Sequence, residues 1–149
     1  NPYLWELKGQ ILFEFGRGKE AEAPQRRSVA LKPDAALLRI NLAQTLIGLG
    51  DKAHVEEGVG ELKRALLNEG DNSVAWRLMA EAYDRLGQDG QARLATAEAY
   101  FSQGAPEEAY VFARRAQDLL AKNTTEWRRA SDIVLVSEAA ARQQQRKRG

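Results

Sequence analysis

The sequence predicts an all-α fold, built as a repeating array of antiparallel helix pairs, about eight helices in all, with a capping helix at the C-terminus. Three observations predict it. The chain holds 24 Ala and 18 Leu against 7 Val, 4 Ile and 4 Thr, and such an excess of good helix formers over β-branched residues favours helix. No segment alternates at period two for more than a few residues, whereas Gly and Pro punctuate stretches of helical length. The glycine breaks also recur: Gly16 to Gly50 is 34 residues, Gly50 to Gly87 is 37, and Gly87 to Gly104 is 17, half of 34.

Each element has its own start or stop. Helix one, 3–15, follows Asn1-Pro2 and ends at Gly16. With no initiator Met, Asn1-Pro2 reads as a cut made just before a helix, in a longer chain. Helix two, 19–31, is stopped by Pro33. Pro24 lies inside it, where proline costs about 3 kcal/mol, so either the helix kinks there or its regular part begins at Pro24. Helix three, 35–49, starts from an N-cap at Asp34 and ends at Gly50. Helix four, 55–69, follows an inserted turn containing Asp51, Lys52, Ala53 and His54. Helix five, 73–86, starts at Ser73 and ends at Gly87. Helix six, 89–103, ends at Gly104. Helix seven, 106–121, carries Pro106 in its first turn. Helix eight, 125–143, is capped by Thr124 and covers the last apolar face with Trp127, Ile133, Val134 and Val136. Gly16, Gly50, Gly87 and Gly104 each follow a helical run, where a residue at positive φ closes the C-terminus without a Cβ clash.

Composition narrows function. Of 149 residues, 44% are apolar and 29% charged, an ordinary globular mix that excludes wholesale disorder. Lys and Arg number 22 and Asp and Glu 21, a net charge of +1, so no global field draws the chain to nucleic acid or to an acidic substrate. The absence of Cys removes disulfides, thiolate nucleophiles and Cys-based zinc sites. The single histidine, His54, excludes a mechanism that needs two from this chain. No run of about 18 apolar residues spans a membrane, and the N-terminus has no signal-peptide pattern.

Two helices per 34 residues is the tetratricopeptide (TPR) period, and the residues at the repeat positions resemble that family. Its motif places large residues at positions 4 and 11, small ones at 8, 20 and 27, Gly at 15 and Pro at 32. The first unit has Trp5, Gly9, Leu12, Gly16, Ala21, Ser28 and Pro33 in register. The third has Trp76, Ala80, Tyr83, Gly87, Ala92 and Ala99. The second, with Leu42, Ala43, Leu46, Gly50, Gly58, Leu62 and Ala65, fits with about three extra residues in its turn, and Gly70 stands in place of Pro. A fourth overlaps the third through Ala97, Tyr100, Gly104, Ala109, Ala113 and Ala116. The repeats run over about 2–33, 35–70, 73–103 and 90–121, and the capping helix covers 125–143, all in one TPR-like domain. The resemblance implies a superhelix in which small residues let paired helices approach and large ones fill the space between. Trp5, Trp76, Tyr83 and Tyr100 then fall in the core.

A narrower resemblance is carried by Trp-Glu-Leu-Lys-Gly-Gln-Ile-Leu-Phe-Glu at 5–14, Leu-Leu-Arg-Ile-Asn-Leu-Ala-Gln at 37–44, Ala-Trp-Arg-Leu-Met-Ala-Glu-Ala-Tyr at 75–83 and Ala-Arg-Arg-Ala-Gln at 113–117. These stretches resemble the C-terminal TPR region of BepA-type periplasmic zinc metallopeptidases, which act in outer-membrane protein quality control. That likeness implies a periplasmic location and a module that docks on a catalytic domain and positions substrates or assembly partners. This chain has no HExxH segment and none of that family's metal ligands.

The residues give no ground for catalysis. An HExxH site needs two His on one helix face, and His54 is followed by Val55, Glu56 and Glu57. Glu56, Glu57 and Glu61 read as a solvated face. Gly16-Arg17-Gly18-Lys19 and Gly58-Val59-Gly60 lack phosphate-loop spacing and follow helices rather than strands. Glu107-Glu108 contributes charge to a helix N-terminus. No catalytic, cofactor or metal residue is assigned. The basic tail, 144–149, reads as a frayed, solvated end. Contact with anionic lipid or nucleic acid through it is the alternative, with no aromatics placed to stack on bases.

The resemblance also places the binding surface. In TPR arrays the first helix of each pair lines a concave groove through positions 2, 5, 9, 12 and 13. Here these are Tyr3, Glu6, Gln10, Phe13 and Glu14, then Leu37, Ile40, Gln44, Ile47 and Gly48, then Val74, Arg77, Glu81, Asp84 and Arg85. Phe13, Gln44, Arg77 and Glu81 are the candidate protein-binding residues. Glu6 and Gln10 stand where a chaperone-tail clamp needs Lys and Asn, so that specificity is rejected. A groove of mixed charge suits an extended peptide or a helix of another domain, including the peptidase domain of such a parent. A free-standing adaptor is the alternative within the same class.

Overall fold

The computed structural model describes all 149 residues and is all-α, with no strand. Its eight helices are α1 (Pro2–Glu14), α2 (Gly18–Leu31), α3 (Ala36–Leu49), α4 (Lys52–Asn68), α5 (Ser73–Arg85), α6 (Asp89–Ser102), α7 (Pro106–Leu119) and α8 (Thr125–Arg148). They form two compact units, Asn1–Gly70 and Asp71–Gly149. In each unit, consecutive helices pack as neighbours, as expected of a helical-repeat fold.

All four break glycines adopt positive φ, at 73°, 87°, 72° and 72° for Gly16, Gly50, Gly87 and Gly104. Three of the turns repeat one hydrogen-bond pattern. The amide after the glycine donates to the carbonyl five residues back: Arg17 to Leu12, Gln88 to Tyr83 and Ala105 to Tyr100. The glycine amide donates to the carbonyl three back, at Phe13, Asp84 and Phe101. This double closure satisfies carbonyls the helix end would otherwise leave open.

Small residues sit at the close approaches. Gly9, Ala21 and Ser28 are buried in the α1–α2 pair, and Ala43, Gly58 and Ala65 in α3–α4. Ala92, Ala97, Ala99, Ala109, Ala113 and Ala116 are 4% exposed or less in the second unit. Large apolar side chains fill the remainder. Leu38, Leu42 and Leu46 of α3 close on Val29 of α2. Ile133 and Val134 of α8 close on Ala97, Ala109 and Ala113, with Tyr100 and Phe112 stacked at 5.6 Å beside them.

Several boundaries differ from those the sequence predicts. Asp51 to His54 is not an inserted turn. Asp51 is the N-cap of α4, its carboxylate accepting the His54 amide at 3.2 Å, and the extra residues form the first turn of a 17-residue helix. Asn72, not Ser73, caps α5 by accepting the Ala75 amide at 3.0 Å. α3 starts after Ala35 without a side-chain cap, so Asp34 does not serve there. Thr124 does cap α8, accepting the Trp127 amide at 3.2 Å. α2 is helical from Gly18 and runs through buried Pro24, which removes the alternative that it becomes regular only at Pro24. The proline's missing N–H leaves the Glu20 carbonyl without its helical donor.

The basic end is also not frayed. α8 continues to Arg148, through Ala139, Ala140, Ala141 and a run of Gln and Arg, all strong helix formers. Arg142 pairs with Glu138 at 2.7 Å, and Arg148 reaches Glu107 of α7 at 3.9 Å. Val136, expected in the cap's apolar face, is 53% exposed. Trp5, Trp76, Tyr83 and Tyr100, expected in the core, are half-buried at its margins.

Candidate functional site

The four candidate residues fall in both units, two in each. In the first unit Phe13 and Gln44 are half-buried on α1 and α3. Phe13 lies against Gly48, where a Cβ would stand 3.6 Å from its ring. The ring and Gly48 line a cavity of about 720 Å³, bounded by the α1–α2 turn on one side and by Thr45 and Leu49 of α3 on the other. Gln44 does not line it; its neighbour Thr45 does.

The rest of the first unit's expected wall is uneven. Ile40 and Ile47 are 5% and 1% exposed, so they belong to the core and not to an open surface. Glu6 is committed inward, accepting a hydrogen bond from the Asn41 amide nitrogen at 2.6 Å and so tying α1 to α3. Gln10 donates to Glu14 at 3.2 Å. Leu37 stands exposed.

In the second unit α5 presents a cleaner surface. Val74, Arg77, Glu81, Asp84 and Arg85 are all exposed, while Ala75, Met79 and Ala82 are buried. The spacing of the exposed residues places them along one side of the helix. Glu81 accepts from Arg85 at 3.1 Å, and Arg93 lies 3.6 Å from Asp84. Arg77 makes no ion pair, so its planar fork of donors is open to a ligand carboxylate.

Sequence reasoning passes over a charged chain that joins α2 and α4. His54 Nδ1 lies 2.5 Å from Asp51 and its Nε2 3.4 Å from Glu22. Glu22 accepts from Arg26 at 2.8 Å, and Arg26 reaches Glu57 at 2.5 and 2.8 Å. The Asp51 carboxylate, hydrogen-bonded to the ring, pushes His54 up from its ordinary value; Glu22 adds to the effect and desolvation opposes it. Asp51 is lowered in turn by the same hydrogen bond. His54 is thus absorbed in pairing that its sequence neighbours only half reveal, because Glu22 lies 32 positions away. No group of three or more His, Cys, Asp or Glu is placed to hold a metal ion.

At the C-terminus Glu107, Tyr110, Glu138, Arg142 and Gln145 line a second cavity of about 360 Å³ between α7 and α8. Arg142 and, from the 144–149 tail, Arg148 are paired there with carboxylates, while Arg146 and Lys147 stand exposed. No helix is long and apolar enough to cross a membrane.

Compared with known proteins, the chain matches no protein-family model and no curated protein.

Proposed function

We propose that the chain is a non-catalytic protein-interaction module of TPR type. The observation that carries this reading is the exposed row on α5, where Arg77 stands unpaired beside Val74 and Glu81 on a helix whose other side is locked in the core. A fixed row mixing apolar, cationic and anionic groups fits a peptide or a helix better than a small molecule. Repeated helix pairs closed by left-handed glycines supply the rigid support such a surface needs. The quoted sequence stretches extend the proposal: the module is the C-terminal part of a BepA-type periplasmic metallopeptidase, docking on its catalytic domain and positioning substrates or partners.

Two measurements test the reading. Arg77→Ala and Phe13→Ala are expected to weaken binding to a BepA-type catalytic domain or to an extended peptide, with the helical circular dichroism unchanged. Arg64→Ala and Arg115→Ala, on the second helices of their pairs, are the comparison. Loss of affinity in that second pair alone would move the binding surface away from Phe13 and Arg77. Pure chain is expected to cleave neither casein nor model peptides, with or without zinc. Chelator-sensitive turnover would overturn the non-catalytic assignment.

A further inference from the structure

We propose that the outer side of α1 is a docking surface for an amphipathic helix of a separate protein, one that carries carboxylates along both borders of its apolar seam. The surface lies wholly in the first unit, apart from the α5 row, and stands or falls without it.

α1 packs only against α2 and α3. The residues at those contacts fix which side is turned away. Gly9 is buried against Gln25 and Ala21 of α2, Phe13 lies against Gly48 of α3, and Glu6 is held by Asn41 of α3. Leu4, Leu7 and Ile11 recur at i, i+3 and i+7, which sets them together on the other side of the helix, and Phe15 extends the row by one more turn. These four side chains are 46% to 79% exposed. α1 is therefore apolar on both sides, and a helix apolar all round is one that is covered all round. An outer helix of a repeat array that meets only water carries a polar face instead.

The borders of the row give the partner its chemistry. Tyr3 and Trp5, the sequence neighbours of Leu4, project to opposite sides of it. On the Trp5 side, Lys8 and Arg27 stand 5.7 and 4.8 Å from the ring centroid. On the Tyr3 side, Lys32 stands 5.5 Å from the ring centroid and donates to the hydroxyl at 3.3 Å. All three cations are exposed and none makes an ion pair. Among the carboxylates of α1 and α2, Glu20 and Glu22 are paired with Arg17 and Arg26, and Glu6 is taken by Asn41. Only Glu14 remains beside the row, at its C-terminal end. The rings hold the cations in place, and carboxylates on a facing helix complement them.

Other occupants fit less well. Antiparallel two-fold pairing of α1 with a second copy sets each border against itself, and parallel pairing sets one border against the other. Cation meets cation in both. Lipid favours a broad apolar face, whereas this row is one residue wide between Lys8 and Glu14. Trp5, the side chain an interfacial helix sinks into lipid, is half-buried under Arg27. A single row spaced by three and four residues is what a facing helix interlocks with.

The test uses two synthetic peptides of three heptads with the same leucine seam, one with Glu and one with Lys at the flanking positions, so that like charges keep each from pairing with itself. Binding of the full chain at low ionic strength is followed by peptide fluorescence anisotropy and by amide nuclear magnetic resonance. The Glu peptide is expected to bind about tenfold more tightly than the Lys peptide, with saturating shifts at Leu4, Leu7, Lys8 and Ile11. Leu7→Ser and Ile11→Ser, at exposed positions, should each weaken it about tenfold with the helical circular dichroism unchanged. Lys8→Glu combined with Lys32→Glu should reverse the preference between the peptides, and Arg77→Ala should leave both affinities as they are. Equal affinities, or a preference that survives the double charge reversal, would overturn the acidic partner. Shifts on α5 in place of α1 would overturn the location. A dimer of the free chain in sedimentation that Leu7→Ser abolishes would give the face to a second copy. Binding to vesicles of phosphatidylcholine and phosphatidylglycerol that Leu7→Ser abolishes, with neither peptide bound, would give it to lipid.

Discussion

Arg129 of α8 clamps the Glu98 carboxylate of α6, its Nη2 2.6 Å from Oε1 and its Nε 3.1 Å from both oxygens. Glu98 is 7% exposed, while the Arg129 side chain keeps 45% of its surface in water. The anion is thus buried and its partner bridges to solvent. Arg129→Met strands that carboxylate and is expected to cost about 2–3 kcal/mol, below the range for a fully buried pair because water still reaches the arginine side. Adding Glu98→Gln to Arg129→Met should recover part of the loss. Urea unfolding of the single and double variants decides it, and a loss under about 0.5 kcal/mol for Arg129→Met would show the pair to be an ordinary surface contact.

A second expectation concerns Gly9 and Gln25, which meet where α1 crosses α2. A Cβ at position 9 would stand 2.4 Å from Gln25 Cγ and 3.3 Å from the Ala21 carbonyl oxygen. Gly9→Ala should therefore destabilise by about 1–3 kcal/mol, the usual range for overpacking. Gln25→Ala removes the obstructing Cγ, so the double variant should be more stable than Gly9→Ala alone. If the two changes simply add, the helices separate at this point and the close approach does not determine stability.

Those glycines and alanines are the most legible part of the fold. Where two helices touch at Gly9, Ala21, Ala43 or Ala113, a larger side chain has nowhere to go, so the requirement shows in residue identity at a fixed spacing. The left-handed turns at Gly16 and Gly87 are legible for a similar reason, since only glycine takes that conformation freely. The first turn of α4 is lost when repeat register takes priority over the local N-cap, Asp51 followed by the His54 amide. The end of α8 is misleading because its cations are solvated, as expected, yet they stand on a continuous helix and not on a frayed end; of residues 144–149 only Arg148 meets a carboxylate of another helix, Glu107, 41 positions earlier. Phe13 is named from its repeat position alone, and the structure places its ring half-buried against Gly48. Ile40 and Ile47 are misplaced on the wall when position outweighs their apolar character. The cavity itself leaves no local trace, because residues 13–20 and 45–49 meet only after folding.

The α2–α4 charge chain predicts a pH response with a definite sign. His54 is raised by Asp51 foremost. A group raised on folding stabilises the fold fully below its unfolded value of about 6.5, and that contribution disappears as pH rises through the higher folded value. Asp51, lowered on folding, acts in the opposite direction: its contribution is present above its unfolded value and lost as pH falls through the folded one. The ring protons of His54 should titrate above the ordinary imidazole range. Asp51→Asn should bring the midpoint back down, and Glu22→Gln should do so by less. An unshifted His54 midpoint in the unmodified chain would mean that the Asp51 contact does not persist in solution.

The last expectation separates two glycines by the sign of one substitution. Gly87 sits at φ +72° with nothing within 4 Å of where a Cβ would stand, and Gly60 has equally open space but lies within α4. Neither position is sterically crowded, so any difference on substitution comes from the backbone alone. At Gly87 an L-residue must hold the left-handed conformation, and Gly87→Ala should cost about 1–2 kcal/mol. At Gly60 the backbone is already right-handed helix, and Gly60→Ala should stabilise by about 0.5–1 kcal/mol, because alanine loses less entropy on entering a helix. Gly87→Asn should fall between Gly87 and Gly87→Ala, since asparagine tolerates positive φ better than alanine. Thermal or urea unfolding of the three variants measures all of this at once. If Gly87→Ala proved neutral, the α5–α6 turn would have another way to close, and the double hydrogen bond to Tyr83 and Asp84 would not be what fixes it.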